Sequence, residues 1–299
     1  MKPDFSVIRE LFSFSFSLIA ASLMNTFFRY IYNPYIGRHF GDERLGYYSE
    51  AYKFNYLPVS IVASTFSGVA LPVLSKLNDD EPRQMNYLRK MMRMMAFCVF
   101  PILFGAIACF DNLVEIVLTD KWLPIVPYFR IMALAGFAAS MHTMYLNVMV
   151  VKGFPKLNFL LETVRNVSIL FFFVLALVLI KYGPFMPVVQ NLLFLFPDSV
   201  ELMLWGGVAA NICFYVVDLF CVRRVVRYSI REQIKDICPY LLISMVMASA
   251  VYYCGCLPIG VVPKTIIQLV CGGVVYWLLC KLFASDVLDD VSEMLLKRK

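Results

Sequence analysis

The sequence predicts an all-α fold, a polytopic transmembrane bundle of about eight helices, and three observations support this prediction. Of the 299 residues, 61% are hydrophobic and 16% are charged, whereas a soluble domain is roughly half apolar and about a quarter charged. The apolar residues lie in long continuous runs. Lys and Arg are concentrated in alternate connections between these runs, which is typical of multi-pass membrane proteins.

Eight of the apolar runs are long enough to cross a bilayer, which takes roughly 20 residues of α-helix. Because lipid offers no hydrogen bonds to the backbone, each run is predicted to be helical. A transmembrane barrel would show alternating segments of about ten residues instead. The predicted spans are residues 10–37, 45–75, 90–118, 124–151, 157–181, 200–226, 236–256 and 262–284.

The distribution of basic residues predicts that both termini lie in the cytoplasm. With the amino terminus inside, Lys and Arg in the connections, the tails and the adjoining parts of the spans favour the inner side by about three to one, the bias of cytoplasmic loops. This bias also accounts for the net charge of +6, so nucleic acid is not predicted as a partner. The predicted location is the cytoplasmic membrane, where membrane lipids surround the chain.

The sequence predicts no enzyme, no cofactor and no metal site. Most of the nine cysteines lie in apolar runs, where cysteine behaves as a small buried hydrophobe. The two histidines, His39 and His142, stand alone in the sequence. Neither a GxxxxGK[ST] phosphate-binding loop nor a GxSxG or HExxH motif occurs, so no catalytic residue is predicted.

Cationic residues inside the predicted spans are the candidate binding groups. A charge within a bilayer is costly and usually faces the protein interior or a wet cavity. Arg29, Lys53 and Arg130 lie roughly 9–12 Å below the predicted outer surface at ~1.5 Å per residue, while Arg165 lies nearer the inner side. The shared depth predicts a site for an anionic headgroup such as a lipid pyrophosphate. Snorkelling of each side chain to the interface is the alternative.

Three acidic residues in the spans are predicted to form ion pairs. Glu50 precedes Lys53 by three residues, and Glu162 precedes Arg165 by three, so each pair shares a helix face. Such a pair can be a structural latch as well as part of a binding site. Asp218 lies late in the sixth span, close to the basic residues that follow it. An interfacial ion pair is predicted there, with a proton or cation site as the alternative.

Three stretches of sequence carry a more specific signal. They are GDERLGYYSEAYKFNYLP at residues 41–58, LPVLSKLNDD at residues 71–80 and LTDKWLPIVPYFRIMALAG at residues 118–136. Together with VVKGFPKL at residues 150–157, they resemble the polysaccharide transporter family, the Wzx-like flippases of lipid-linked oligosaccharides. This family belongs to the multidrug/oligosaccharidyl-lipid/polysaccharide exporter superfamily, and the resemblance covers about residues 5–170.

The resemblance implies the second six-helix transporter lobe of such a protein in residues 1–232, followed by an additional transmembrane helix pair and a cytoplasmic tail in residues 233–299. It implies transport, without covalent chemistry, of a polyprenyl-pyrophosphate-linked oligosaccharide across the cytoplasmic membrane for surface polysaccharide such as O-antigen, capsule or exopolysaccharide. Members of the family have two lobes, so a first-lobe protein or a second copy of the chain is the expected partner. The resemblance implies four residues for the cationic cavity: Arg29, Lys53, Arg130 and Arg165.

Two other functions stay open at this point. A cation-coupled exporter of small molecules would favour buried acids, whereas the first, second and fourth predicted spans show more cations. The second open possibility is that the chain is a truncated fragment that transports nothing. A membrane glycosyltransferase would bring a large outer loop or a carboxylate motif, and the sequence contains neither.

Overall fold

The computed structural model describes residues 15–16, 19–20, 22–24, 26–28, 30–182, 198–284 and 287–288. Throughout these residues the regular structure is helical and no strand occurs, which confirms the predicted all-α fold. The α-helices are α1 Tyr32–Lys76, α2 Glu81–Val117, α3 Ile125–Val151, α4 Pro155–Tyr182, α5 Ser199–Val226, α6 Ile230–Gly255 and α7 Val261–Phe283. A short 3₁₀ helix, Asp120–Trp122, joins α2 to α3.

The protein is a multi-pass membrane protein. In the described part of the chain, seven helices are long and apolar enough to cross a bilayer, the first being Ser22–Lys76, which contains α1. Large apolar side chains cover the outer faces of the bundle. Tyr253 on α6 and Leu282 on α7, for example, are both 74% exposed. Apolar surface of this extent indicates a lipid environment, because its exposure to water would be unfavourable.

Gly41 divides α1 into two antiparallel arms, the short arm of residues 32–40 and the long arm of residues 42–76. Its backbone angles, φ 86° and ψ 169°, lie in a region that glycine adopts far more readily than other residues. The ring centroids of Tyr32 and Tyr48 lie 6.1 Å apart, whereas a continuous helix would hold these residues ~24 Å apart. The chain therefore reverses at Gly41, and α1 contains the end of the first predicted span and all of the second.

The helices run back and forth between two ends of the bundle. The Gly41 end carries Gly41 and also Asp198, whose carboxylate accepts a hydrogen bond from Arg44 (2.5 Å). The Lys76 end is the opposite one. It carries the connections at residues 77–80, 152–154 and 227–229.

α3 lies at the centre and packs against the long arm of α1, α2 and α5, while α4 packs on α5. The helix pair α6 and α7 lies outside this group, against α2. A small hydrophobic cluster lies where these three helices meet. The pair approaches closely at Gly272, where an added Cβ would lie 2.9 Å from Val251. This arrangement suits a lobe followed by a helix pair, although the predicted boundary at residues 232 and 233 stays a prediction. The cluster comprises Cys109, Ile243, Met247, Val251, Tyr276 and Cys280.

Candidate functional site: a polar cavity within the bundle

A cavity of about 480 Å³ lies between the long arm of α1 and helices α3, α4 and α5. This is within the usual range for ligand sites, about 300–1,000 Å³. On each helix the lining residues come from the membrane-spanning stretch rather than from the connections. The lining combines tyrosine rings, serine and threonine hydroxyls, three asparagine amides and a group of charged side chains. Such polarity within a spanning segment indicates a functional cavity.

Three charged side chains of the cavity wall, His142, Glu162 and Arg165, form the His142 cluster together with Asp218. His142 Nδ1 lies 2.8 Å from Asp218 Oδ2, and His142 Nε2 lies 3.6 Å from Glu162 Oε1. Arg165 Nη2 donates a hydrogen bond to Glu162 Oε2 (2.9 Å). The cluster thus links α3, α4 and α5 through alternating acidic and basic groups.

Burial makes this cluster energetically demanding. The exposed fractions are 3% for His142, 5% for Glu162 and 1% for Asp218. A buried charge is tolerated only when partners compensate for the lost hydration, and removal of one partner strands the other. Two carboxylates face one guanidinium and one imidazole, so the charge balance of the cluster depends on the proton that His142 carries. At ~1.5 Å per residue along α4, Glu162 lies roughly 10 Å from the Lys76 end.

Two of the predicted cationic residues lie away from the cavity. Lys53 donates a hydrogen bond to Glu50 (2.5 Å), as their spacing predicts, and its side chain is 61% exposed. Arg130 forms an ion pair with Asp111 on the α2–α3 side of the bundle. Neither Lys53 nor Arg130 is among the described residues that line the cavity. Their part in substrate binding stays a prediction.

Arg165 is the predicted cation that the structure places in the cavity wall. Its side chain is 14% exposed, and its pairing with Glu162 follows the predicted spacing on α4. Arg29 lies outside the described residues. The sequence therefore identified one charged corner of the cavity, whereas the shared depth of the other cations did not bring Lys53 and Arg130 into it.

His142 is the member of the site that sequence reasoning missed. Its partners lie on other helices, and Asp218 lies 76 positions further along the chain, so no local spacing reveals the contact. Asp218 pairs with this histidine in the structure, whereas the sequence suggested the basic end of its own helix. The available signal was the coincidence of a lone histidine and a lone acid in two apolar runs. Among the described residues, no group of three or more His, Cys, Asp or Glu is arranged to hold a metal ion.

Asp198 ties three helices together at the Gly41 end. Besides the hydrogen bond from Arg44, its carboxylate accepts one from the Tyr128 hydroxyl of α3 (2.5 Å). It also caps the start of α5 by accepting from the backbone N–H of Val200 (3.0 Å). One carboxylate thus connects α1, α3 and α5 at the Gly41 end of the bundle.

A second polar junction lies at the Lys76 end. Arg89 of α2 donates to Asp236 (2.7 and 3.2 Å) and to Glu232 (3.0 Å) on α6. The Tyr228 hydroxyl, in the connection before α6, also donates to Asp236 (2.6 Å). Burial raises the pKa of Tyr228, and the neighbouring carboxylate raises it further, so the hydroxyl keeps its proton and stays a donor. The cavity lies between these two junctions.

Comparison with known proteins begins with the family model described as "Polysaccharide biosynthesis protein", which matches residues 1–127. The predicted resemblance to the polysaccharide transporter family is confirmed. Teichuronic acid biosynthesis protein TuaB of Bacillus subtilis (strain 168) is 28% identical over 156 residues, 52% of this chain and 32% of that protein. Lipopolysaccharide biosynthesis protein WzxC of Escherichia coli (strain K12) is 24% identical over 162 residues, 54% of this chain and 32% of that protein.

A membrane protein of the cps region of Klebsiella pneumoniae is 30% identical over 129 residues, 43% of this chain and 27% of that protein. The matches to these curated relatives therefore cover about a third of the relatives' length or less. Among solved structures, the lipid II flippase MurJ in an inward closed conformation has a TM-score of 0.63 at 17% identity. The match covers 95% of this chain and 54% of MurJ, which shows that the chain has the fold of about half of a flippase.

Proposed function

We propose that the chain forms one lobe of a flippase that moves a polyprenyl-pyrophosphate-linked oligosaccharide across the cytoplasmic membrane for surface polysaccharide synthesis. The observation that carries this proposal is the polar cavity with Arg165 in its wall, deep within spanning helices. A pyrophosphate and its sugars need polar surroundings to cross the hydrocarbon core, and a guanidinium is suited to phosphate oxygens. The work is transport, and no bond of the substrate is made or broken.

The other lobe closes the cavity and takes part in alternating access. Transporters of this kind expose a midplane site to one side at a time as two halves move against each other. Tyr56 in the cavity wall is 38% exposed, so the wall is open along part of its length. The other lobe comes from further sequence of the same polypeptide, from a separate chain or from a second copy.

The proposed orientation places the Gly41 end outside the cell and both termini in the cytoplasm. It follows from the excess of Lys and Arg in the connections at the Lys76 end. Alkaline phosphatase fused after Thr119 is expected to be active and the same enzyme fused after Gly153 inactive. The reverse pattern would contradict this orientation.

The function is tested by complementation of a strain that lacks its own flippase, with the chain expressed alone and with a first-lobe protein. The parent chain is expected to restore surface polysaccharide when the first-lobe protein is also present. Arg165→Gln is expected to lower this activity about tenfold or more, because a charge-assisted contact to phosphate is lost. Arg83→Gln is the matched control, since that side chain is 79% exposed at the Lys76 end.

A double variant separates binding from folding. Arg165→Gln alone strands Glu162, whereas Glu162→Gln with Arg165→Gln removes both charges of the pair. We expect the double variant to be expressed at the level of the parent and still to fail in transport. Full complementation by both Arg165 variants would contradict the proposed cavity function.

A cation-coupled exporter of small molecules is the second candidate function. The observation in its favour is the burial of Glu162 and Asp218 beside His142, because buried acids serve as proton or cation sites in transporters. In that case Glu162→Gln would abolish efflux of a cationic dye from intact cells that maintain a pH gradient. Arg83→Gln, the exposed control, would leave efflux intact. The flippase proposal predicts no dye efflux by the parent chain.

A further inference from the structure

Three tyrosines on the long arm of α1 form a row of neighbouring rings, the tyrosine ladder of Tyr48, Tyr52 and Tyr56. The ring centroids of Tyr48 and Tyr52 are 6.3 Å apart with planes at 26°. Those of Tyr52 and Tyr56 are 5.7 Å apart with planes at 11°. A spacing of four residues places the side chains on one helix face, and all three line the cavity.

The ladder is anchored at one end and open at the other. Tyr48 is 4% exposed and packs against Tyr32 of the short arm, whereas Tyr56 is 38% exposed. At ~1.5 Å per residue the ladder descends from roughly 10 Å to roughly 22 Å below Gly41. It therefore covers the cavity wall over several ångströms in the direction of the membrane normal.

Two buried amides face the same cavity. Asn55 on α1 is 9% exposed and Asn166 on α4 is 1% exposed, and both line the cavity. Among the described residues, the Nδ2 atom of each has no hydrogen-bond partner. A buried donor without a partner is unfavourable, because nothing replaces the hydrogen bond that it made to water. The two amides are thus positioned to donate to a ligand, and Asn166 follows Arg165 directly in the sequence.

Sugars match this combination of groups. A pyranose ring has an apolar face of C–H groups that stacks on an aromatic face, and its hydroxyl and ring oxygens accept hydrogen bonds. Tyrosine supplies a large amphipathic surface at a small cost in side-chain entropy. A polyprenyl tail has no acceptor for the two amides, and a pyrophosphate gains nothing from stacked rings.

We propose that the tyrosine ladder, with Asn55 and Asn166, is a glycan subsite that holds the first sugars of the substrate beside Arg165. This inference rests on the proposed flippase function and adds the part of the substrate that each group contacts. Arg165 contacts the pyrophosphate, the ladder stacks on sugar rings, and the amides orient them. Because stacking needs an apolar ring face rather than a particular hydroxyl pattern, the subsite accepts both hexoses and N-acetylhexosamines.

The test compares lipid probes that differ only in the sugar. The full chain, purified in lipid nanodiscs, is titrated with undecaprenyl pyrophosphate and with the same lipid carrying N-acetylglucosamine or glucose. The ladder variant is Tyr52→Leu with Tyr56→Leu, and a second variant replaces both residues with Phe. The matched control is Tyr252→Leu with Tyr253→Leu, because these rings on α6 are 58% and 74% exposed and lie outside the cavity.

The parent is expected to bind the glycosylated lipids about tenfold more tightly than the bare lipid. Stacking on Tyr52 and stacking on Tyr56 each contribute about half of this difference in binding free energy. The Leu ladder variant loses this preference and keeps the affinity for bare undecaprenyl pyrophosphate. The Phe variant and the α6 control keep the preference. Arg165→Gln weakens binding of all three lipids.

Any other result contradicts the inference. If the parent binds bare and glycosylated lipids equally, or if the Leu variant keeps the preference, the glycan subsite is wrong and the flippase function stands. Loss of bare-lipid binding in the Leu variant means that the rings support the cavity as a whole, and the subsite assignment fails. A parent chain that binds none of the lipids overturns both proposals.

Discussion

The four side chains of the His142 cluster are stabilised by each other across three helices. Asp218 contacts His142, which lies beside Glu162, which in turn accepts from Arg165. Each member compensates for the burial of its neighbour, so the cost of a single substitution exceeds the value of one contact. The cluster serves two purposes, because it fastens α3, α4 and α5 together and holds Arg165 in the cavity wall.

Asp218→Ala tests this coupling. We expect a loss of about 3 kcal/mol in the free energy of unfolding, because His142 loses its closest partner in a buried site. His142→Ala with Asp218→Ala is expected to cost less than the sum of the two single variants. The measurement is thermal unfolding of the purified protein in detergent. Asp42→Asn at the exposed turn is the control, and an Asp218 variant as stable as this control would contradict the coupling.

The charged site shows which contacts a sequence can predict. The Glu162–Arg165 and Glu50–Lys53 pairs lie within one helix, where a spacing of three residues fixes the geometry. The contact between His142 and Asp218 depends on how α3 packs against α5, and depth along separate helices says nothing about which way each side chain points. For the same reason, Arg130 and Lys53 have the same predicted depth but different surroundings in the structure.

At the scale of elements, helix starts differ more from the sequence prediction than helix existence does. α2 begins at Glu81 rather than near residue 90, because Asp80 caps it by accepting from the Arg83 backbone N–H. α6 begins at Ile230 rather than near residue 236, since Ser229 and Glu232 form a capping box. Hydropathy marks the part of a helix that crosses lipid, whereas polar first turns extend beyond it.

The reversal at Gly41 gives a prediction for one element. Gly41→Ala is expected to lower the free energy of unfolding by about 1–3 kcal/mol, because alanine is strained at φ 86° and ψ 169°. Gly46→Ala is the matched control within the long arm, where an added Cβ meets nothing within 4 Å. It is expected to be neutral or stabilising by up to about 1 kcal/mol. Equal thermal unfolding of the two variants would show that no reversal occurs at Gly41.

The packing of α7 on α6 gives a second prediction at the scale of elements. Gly272→Val is expected to cost about 1–3 kcal/mol through overpacking, because a Cβ there would lie 2.9 Å from Val251. Gly273→Val has the same helix propensity, and its Cβ would meet nothing within 4 Å. Thermal unfolding of both variants measures the difference. Equal stability would mean that the helix pair does not approach at Gly272.

At the scale of the whole molecule, polar junctions lie at both ends of the bundle, and the polar cavity lies between these ends. Asp198 connects helices at the Gly41 end, and Arg89 with Asp236 does so at the Lys76 end. These contacts fasten helices to one another at both ends of the bundle, which suits the proposed movement of the lobe as a unit. The chain matches 54% of the MurJ chain, in keeping with one lobe and an added helix pair.

The central claim is that the cavity holds a lipid-linked oligosaccharide, and photo-crosslinking in living cells tests it most directly. Benzoylphenylalanine is placed at Ser64 in the cavity wall or at Val274 on α7, which is 51% exposed outside the cavity. After irradiation of cells that make surface polysaccharide, mild acid cleaves pyrophosphate-linked glycans from the purified adducts. The account predicts acid-labile glycan on the Ser64 variant and none on the Val274 variant. Absence of glycan at Ser64, or equal labelling at both positions, would contradict it.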